Sequence, residues 1–353
     1  MIRFSCTINE TDVEQTLRLG VLADKCGFQF VILGDHLFHP LRGGIFTQPT
    51  REVFTMLTAI ATQTKNIKLG CFVDPVRLHP AMITHSVTTL DWLSSGRAVL
   101  GIGAGEAFNI NPLKDLKWGK PFTRLKEAII LIKKLWASTI EEPVNFQGEY
   151  FEVEDAHLGL KPIQKPHPSI YIGGWGPKML GLVGELGDGW LPWIHTPECL
   201  KKDLGKIREA AREAGRDPNK IEVAVMVHAV VLEDGDEARR IALPRSRSAL
   251  ALRRRLLREL GFPKLADKAM DIWQASLTGD EVSRIFEVAC QIPEEVVEKT
   301  YVAGTVDEVI GQIEEFIEAG VTIFNAMPIL DVFEDTAFAF KDEIIPYFRE
   351  QGR

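Results

Sequence analysis

Two neighbouring side chains that can exchange protons, Asp35 and His36, follow the apolar run FVIL and Gly34. Imidazole gives or takes a proton near neutral pH, and a carboxylate beside it can orient the ring or share its proton. A second carboxylate, Glu106, follows the apolar run AVLGIG further along the chain. His36 and Glu106 are therefore the pair that we expect around a substrate carbonyl. The alternatives are a structural histidine and a carboxylate on a surface loop.

A glycine-rich turn follows another apolar run in the segment IYIGGWGPK. Gly173, Gly174 and Gly176 lie between a strand-like run and a helix that begins with a proline, which leaves backbone N–H groups facing outward. Such a helix start suits an anion such as a phosphate, and Lys178 would add positive charge. The same glycines could serve only the geometry of a tight turn, and the spacing leaves both interpretations open.

The segment GIGAGE is also rich in glycine. It lacks the sixth-position glycine and the distant acidic residue of a dinucleotide-binding fingerprint. Its glycines either let a flat ring system approach the backbone closely or relieve crowding in the protein interior.

Metal and disulfide chemistry are not predicted. His36 and His39 are three positions apart in HLFH, but no acidic helical partner accompanies them. The five cysteines are scattered without a CxxC pair, which favours a reducing cytoplasm. The net charge of -8 disfavours nucleic acid and anionic membranes as partners, so we expect a small-molecule substrate.

Short apolar runs alternate with longer amphipathic ones, which is typical of a parallel sheet with helical crossovers. Strands are predicted at 2–8, 30–35, 67–73, 98–103, 169–174, 189–194, 221–232 and 322–328. Helices are predicted at 12–26, 52–63, 80–93, 123–136, 177–186, 197–214 and 306–319. Eight such units predict an α/β fold of the (β/α)8 TIM-barrel type with insertions, and a doubly wound sheet is the alternative. In a TIM barrel the polar residues after each strand meet at one mouth.

Two stretches interrupt the alternation. Residues 142–166 have the pattern of a β-hairpin and loop, and residues 235–297 that of a helical insertion before the eighth strand. Residues 1–353 are expected to form a single barrel domain that carries both. The arginines of 239–258 either line the solvated face of a helix or form a basic lid over an anionic ligand. Trp175 and Trp193, at predicted strand ends, could wall a pocket.

Five segments share a further pattern: LGDH, SSGRAVLGIGAGEAFN, WGKPFTRLKEAIILIKKLW, PSIYIGGWGPKMLGLVGELGDGW and VAGTVDEVIGQIEEFIEAGV. Together they resemble the luciferase-like monooxygenase superfamily, and within it the branch that uses the deazaflavin coenzyme F420. This branch includes methylenetetrahydromethanopterin reductase, phthiodiolone ketoreductase and F420-dependent glucose-6-phosphate and secondary-alcohol dehydrogenases. The resemblance implies a TIM barrel, a homodimer, and an oxidoreductase that transfers a hydride between the deazaflavin C5 and its substrate.

The resemblance also implies roles for individual residues. His36 matches the catalytic acid or base, Glu106 the second acid–base carboxylate, and Asp35 a cofactor contact that also fixes the ring or orients His36. Relatives hold a non-proline cis peptide after the third strand, and the matching bond here is Phe72–Val73. The residues that match further cofactor contacts are Phe72, Val73, Asp74, Ala104, Gly105, Asn109, Gly174, Trp175, Gly176, Lys178 and Met179.

Three departures from the resemblance keep the substrate open. The first is that methylenetetrahydromethanopterin reductase lacks the Asp-His and Glu-Ala context in the form found in this chain. The dehydrogenases carry a tryptophan where this chain has His39 and Pro40, and the sugar-phosphate enzyme carries a lysine where this chain has uncharged residues and His195. Carbonyls, alcohols and methylene-pterin-like compounds all stay candidates. The alternatives for function are an FMN-dependent monooxygenase of the same superfamily and a non-catalytic flavin- or deazaflavin-binding protein.

Overall fold

Eight parallel strands close into a barrel at the centre of the protein. The structure is a computed structural model that describes residues 1–8, 12–38 and 51–352. Its strands are β1 (Arg3–Thr7), β2 (Phe30–Gly34), β3 (Lys68–Val73), β4 (Ala98–Ile102), β5 (Val144–Gln147), β6 (Glu152–Ala156), β7 (Ile170–Gly173), β8 (Gly189–Leu191), β9 (Glu222–Val231), β10 (Tyr301–Gly304) and β11 (Ile323–Pro328). The barrel runs β1, β2, β3, β4, β7, β8, β9, β11, and β11 pairs with β1 to close it. The predicted (β/α)8 TIM barrel is confirmed.

The helices surround the barrel, and a helix occupies each of the seven predicted segments to within a few residues. They are α1 (Val13–Lys25), α2 (Val53–Gln63), α3 (Pro80–Leu93), α4 (Ala107–Ile110), α5 (Pro121–Ala137), α6 (Pro177–Leu186), α7 (Pro197–Glu213), α8 (Gly235–Ala251), α9 (Arg254–Glu259), α10 (Pro263–Lys268), α11 (Gly279–Ala289), α12 (Glu294–Val297), α13 (Val306–Glu318), α14 (Phe333–Ala339) and α15 (Ile345–Glu350). Helices at Ala107–Ile110, Phe333–Ala339 and Ile345–Glu350 lie outside every predicted segment. Within the described ranges, no helix combines the length and apolar character needed to cross a bilayer.

The strands differ from the sequence prediction at two places. β8 ends at Leu191 rather than at 194, since Pro192 has no N–H to continue the ladder and Ile194 has a φ of 49°. β10 was not predicted, because four apolar residues after a helical insertion give too short a pattern. It pairs in parallel with His228–Val231, so the C-terminal part of β9 has a strand partner that is not one of the eight barrel strands.

Residues 142–166 fold on the outside of the barrel, and residues 235–297 fold over its mouth. In the first, β5 and β6 pair antiparallel as a hairpin. The second holds α8 to α12, whose apolar faces form a cluster of buried side chains separate from the main core. This cluster includes Phe108 and packs against Trp175 and Trp193, so the helical insertion adjoins the barrel mouth.

Two glycines, one in β4 and one directly after it, leave room for the ring of Phe72 inside the barrel. A Cβ on Gly101 would lie 2.6 Å from the carbonyl oxygen of Cys71 and 2.8 Å from Cδ2 of Phe72. A Cβ on Gly103 would lie 3.2 Å from Cζ of the same ring. Of the two interpretations of GIGAGE, relief of crowding therefore accounts for these two glycines.

We expect Gly101→Ala to destabilise the fold by about 1–3 kcal/mol, because its methyl group would meet backbone as well as the Phe72 ring. Gly181→Ala is the matched control. Gly181 lies within α6 and a Cβ there meets nothing within 4 Å, so this variant should stabilise by about 0.5–1 kcal/mol. Urea unfolding of both variants measures the difference, and equal stabilities would contradict this account of β4.

Candidate active site

A cavity of about 460 Å³ opens at the C-terminal ends of the barrel strands. This is the mouth where the sequence predicted the site. The predicted site residues that line it are Asp35, His36, Phe72, Val73, Asp74, Ala104, Gly105, Glu106, Asn109, Gly174, Trp175 and Met179. Gly176 and Lys178 are not among the lining residues. His39 and Pro40 lie outside the described residues.

His36 and Glu106 face each other across the mouth. Nε2 of His36 lies 3.2 Å from Oε2 of Glu106, and their side chains are 19% and 25% exposed. Phe108, two residues after Glu106, packs edge-on against the imidazole at a centroid distance of 5.2 Å. Burial by itself lowers the pKa of His36, but the Glu106 carboxylate outweighs it, and the net pKa is raised above the usual value. The pair therefore holds a proton at a pH where an isolated histidine would release it.

Arg77 links the ends of β2 and β3 and was missed in the sequence analysis. Its guanidinium lies 3.0 Å from Oδ2 of Asp35, donates from Nε to Asp74 Oδ2 at 2.6 Å, and donates to the carbonyl oxygen of Asp35 at 2.6 Å. The Arg77 side chain is only 8% exposed. An arginine three residues after Asp74, in a loop expected at the mouth, was the signal available in the sequence.

The two aspartates have different surroundings. Oδ1 of Asp74 accepts the backbone N–H groups of Val76 and Arg77, so this carboxylate is used within its own turn. The pKa of Asp35 is raised because burial of the carboxylate outweighs the opposing effect of Arg77. Asp74 is thus placed to hold Arg77, whereas burial at the mouth disfavours the ionised form of Asp35.

Asn109 fixes the loop that carries His36. Its Oδ1 accepts the backbone N–H groups of Leu37 and Phe38 at 2.7 and 3.2 Å, and its Nδ2 donates to the carbonyl oxygen of Asp35 at 3.3 Å. The side chain is almost fully buried. Most of the hydrogen-bonding capacity of Asn109 therefore serves the protein, leaving one Nδ2 proton for a ligand.

Trp175 in the glycine-rich loop is held by the helical insertion. The guanidinium carbon of Arg253 lies 3.9 Å from the centre of the indole, and Nε1 of Trp175 donates to Oδ1 of Asp271 at 3.2 Å. Arg253 is fully buried and also donates to the carbonyl oxygen of Ile194. Burial lowers the pKa of Arg253 to about 9, although Asp271 opposes the shift. One arginine of the insertion is thus a core residue.

The start of α6 lies at the rim of the cavity. Gly176 caps this helix with a φ of 107° and no side chain bonds the first turn. Lys178 is exposed, and its Nζ lies 5.9 Å from the centre of the Phe122 ring, which lines the cavity. Both residues therefore flank the cavity without lining it, in an arrangement that suits an anion outside the mouth.

The predicted cis bond between Phe72 and Val73 is wrong. Among the described residues the cis peptide bond is Lys165–Pro166. Phe72 and Val73 instead continue β3, paired in register with Gly101 and Ile102 of β4. Regular parallel pairing at this point requires the extended trans backbone.

Other residues that line the cavity were missed in the sequence analysis. They include Met226, His228, Arg245, Trp273 and Met327. Met226 and His228 are two apart on β9, so they point to the same face of the strand. This alternation was the available signal for His228. The described ranges hold no cluster of three or more His, Cys, Asp or Glu side chains arranged for a metal ion.

We expect Glu106→Gln to lower the pKa of His36, since the variant removes the charge that raises it. The histidine ring signals in a proton NMR titration report this pKa, and His36→Gln assigns the signal among the eight histidines. Glu213→Gln, an exposed position at the end of α7, is the control and should leave the titration unchanged. An unchanged midpoint in Glu106→Gln would show that the ion pair does not set the pKa.

The sequence matches the model of one protein family, described as luciferase-like monooxygenase, over residues 2–322. It is similar to the 5,10-methylenetetrahydromethanopterin reductase of Archaeoglobus fulgidus, with 32% identity covering 92% of this chain and 93% of that protein. It is also similar to the phthiodiolone/phenolphthiodiolone dimycocerosates ketoreductase of Mycobacterium tuberculosis, with 31% identity covering 76% and 72%.

Two solved structures share the fold over nearly the whole chain. The coenzyme F420 dependent tetrahydromethanopterin reductase from Methanopyrus kandleri has a TM-score of 0.80 at 24% identity, covering 98% of this chain and 99% of that one. An F420-dependent secondary alcohol dehydrogenase in complex with an F420-acetone adduct has a TM-score of 0.76 at 26% identity, covering 97% and 99%. The resemblance inferred from the sequence is confirmed, and the chain belongs to the luciferase-like monooxygenase family.

Proposed function

We propose that this protein is a coenzyme F420-dependent oxidoreductase that transfers a hydride between the deazaflavin C5 and a carbonyl or alcohol carbon, or a methylene-pterin-like substrate. The observation that carries the proposal is the His36–Glu106 pair, whose atoms lie 3.2 Å apart at the mouth of a ring-sized cavity. Relatives named as F420-dependent reductases and dehydrogenases support the choice of cofactor.

The residues present fit this cofactor at both ends of the site. Inside the mouth, Phe72, Val73, Ala104 and Gly105 offer a wall with few polar side chains, which suits a flat ring. Outside it, Gly176 leaves the first turn of α6 without a side-chain cap, and Lys178 adds charge beside it, which suits a phosphate. We therefore assign the ring to the first group and the phosphate to the second.

When bound in its reduced form, coenzyme F420 would supply the hydride and become oxidised, and residues of the protein would supply the proton. In the direction of reduction, the carbonyl carbon of a ketone or aldehyde would gain the hydride and its oxygen would gain a proton from His36. In a methylene-pterin-like substrate the methylene carbon would gain the hydride and the nitrogen released from it would take the proton. Glu106, whose Oε2 contacts Nε2 of His36, returns a proton to the His36–Glu106 pair. Asp35, held by Arg77, orients the loop that carries His36 and faces the cofactor. In the direction of oxidation, the same groups accept the proton.

We further propose a cytoplasmic homodimer in which residues 1–353 act as one decorated barrel domain. All five cysteines are free thiols, in keeping with a reducing compartment. Met82, Trp92 and Leu93 on α3 are each more than half exposed, and apolar side chains of this kind would suit a contact with a second copy of the chain. Light scattering of the purified protein measures the mass of the assembly directly.

We expect His36→Ala to reduce turnover about 100-fold or more while coenzyme F420 still binds, because a general acid–base group contributes on that scale. Oxidation of reduced F420 is followed with methylenetetrahydromethanopterin and with a panel of ketones. His157→Ala, at an exposed position after β6, is the control and should keep full activity. Unchanged turnover in His36→Ala would overturn the assignment of the proton donor.

Separate titrations of the wild-type protein with F420 and FMN test the cofactor itself. Stoichiometric retention of FMN with consumption of oxygen would replace the proposal by a monooxygenase. Binding of F420 without turnover on the whole panel would indicate a non-catalytic carrier.

Lys178→Ala should raise the dissociation constant of F420 modestly, by about two- to fivefold, because an exposed charge contributes less than about 1 kcal/mol. The effect should shrink as salt is added, since screening weakens an exposed charge pair. Lys202→Ala, exposed on α7, is the matched control. A loss that is insensitive to salt would argue against a phosphate beside Lys178.

A further inference from the structure

His228 lies on the strand opposite the proposed cofactor wall. In the barrel order, β9 is four strands away from β3 in either direction, so the two strands face each other across the mouth. His228 is 7% exposed and lines the cavity together with Trp193 and Met226. None of these residues takes part in the proton transfer proposed above.

The hydrogen bonds around His228 determine which ring nitrogen carries its proton. Nδ1 lies 3.0 Å from Oγ of Ser246 on α8. That hydroxyl donates its single proton to the carbonyl oxygen of Ala242 at 2.9 Å, so it can only accept from the imidazole. His228 is therefore protonated on Nδ1, and Nε2 carries a lone pair.

Nε2 of His228 makes no hydrogen bond with any residue in the described ranges, and the ring borders the cavity. Burial and the neighbouring Arg245 lower the pKa of His228 to about 3, so the ring stays neutral across the physiological range. A neutral imidazole in this tautomer is a hydrogen-bond acceptor at Nε2 and cannot serve there as an acid.

We propose that the side of the cavity opposite β3 is the substrate subsite, and that Nε2 of His228 accepts a hydrogen bond from an N–H or O–H group of the substrate. This inference rests on the proposed function, because the wall across the mouth is assigned to the deazaflavin ring. The substrate is a compound with an apolar body, which packs on Trp193 and Met226, and a donor group away from the carbon that reacts. Ser246 acts through His228 as a positioning residue.

The test compares ligands that differ only in the donor. Binding is measured by intrinsic tryptophan fluorescence. The ligands are tetrahydromethanopterin, the three hydroxyphenylacetones (2-, 3- and 4-hydroxy) and the methyl ether of each hydroxyphenylacetone. The titrations are run with and without F420, so the result does not depend on turnover. We compare the wild type with His228→Phe, which keeps an aromatic ring, and with His228→Gln, which restores an acceptor.

We expect the wild type to bind at least one hydroxyl compound roughly tenfold or more tightly than its ether, since the ether leaves the buried acceptor Nε2 of His228 unpaired. His228→Phe should bring that ratio close to one and weaken tetrahydromethanopterin, and His228→Gln should retain most of the preference. The dissociation constant of F420 should stay unchanged in both variants. Ser246→Ala should reduce the ratio of ether to hydroxyl dissociation constants in part, because without the Ser246 hydroxyl the proton of His228 is no longer held on Nδ1.

The role of His228 would be overturned if the wild type showed no preference for the donor compounds or bound none of the probes. It would also be overturned if the preference survived in His228→Phe. Loss of F420 affinity in His228→Phe to the same extent as substrate affinity would also overturn it. Failure of the wild type to bind F420, with the donor preference intact, would instead refute the proposed cofactor and leave the hydrogen bond to His228 standing.

Discussion

The buried guanidinium of Arg77 is the interaction on which the geometry of the mouth depends. It holds the carboxylates of Asp35 and Asp74 and the carbonyl oxygen of Asp35, and thereby ties the loops after β2 and β3 together. Two carboxylates in a poorly solvated site would repel each other without a shared cation, and removal of one partner from such a network is strongly unfavourable. Asn109 fixes the same loop from the side of β4 through the backbone of Leu37 and Phe38. The position of His36 is thus determined by groups that do not themselves exchange protons.

Two histidines in one cavity are shifted in opposite directions by their neighbours. His36 faces a carboxylate, which raises its pKa in spite of burial, whereas His228 faces a hydroxyl and lies near Arg245, and its pKa is lowered to about 3. One ring therefore holds a proton readily, and the other stays neutral. Although the two side chains are chemically identical, the difference in their pKa gives them different capacities. His36 can transfer a proton, and His228 can accept a hydrogen bond from a ligand N–H or O–H group.

The helical insertion supplies part of the cavity wall. Arginines of this insertion have several roles: Arg239 and Arg240 form surface ion pairs, Arg253 stacks on Trp175, and Arg245 lines the cavity. Of the two interpretations considered from the sequence, a solvated helix face holds for Arg239 and Arg240, whereas a basic lid over an anionic ligand stays a prediction. A helical pattern of leucines gives the buried face of α8 and α9, but it does not tell which arginine follows that face inward.

The sequence by itself determined the barrel, its eight strands, the seven helices that follow the barrel periodicity and the strand ends where Asp35, His36 and Glu106 meet. These follow from local periodicity and from the rule that parallel strands present their C-terminal ends at one mouth. Only the tertiary structure decided that Phe72–Val73 is trans, that β10 extends the sheet, and that Arg77 and His228 belong to the site. Arg77 bonds residues of two different loops, and the tautomer of His228 depends on Ser246, which is eighteen residues away on another element. Such contacts depend on distances between segments, and no periodicity within a single segment encodes them.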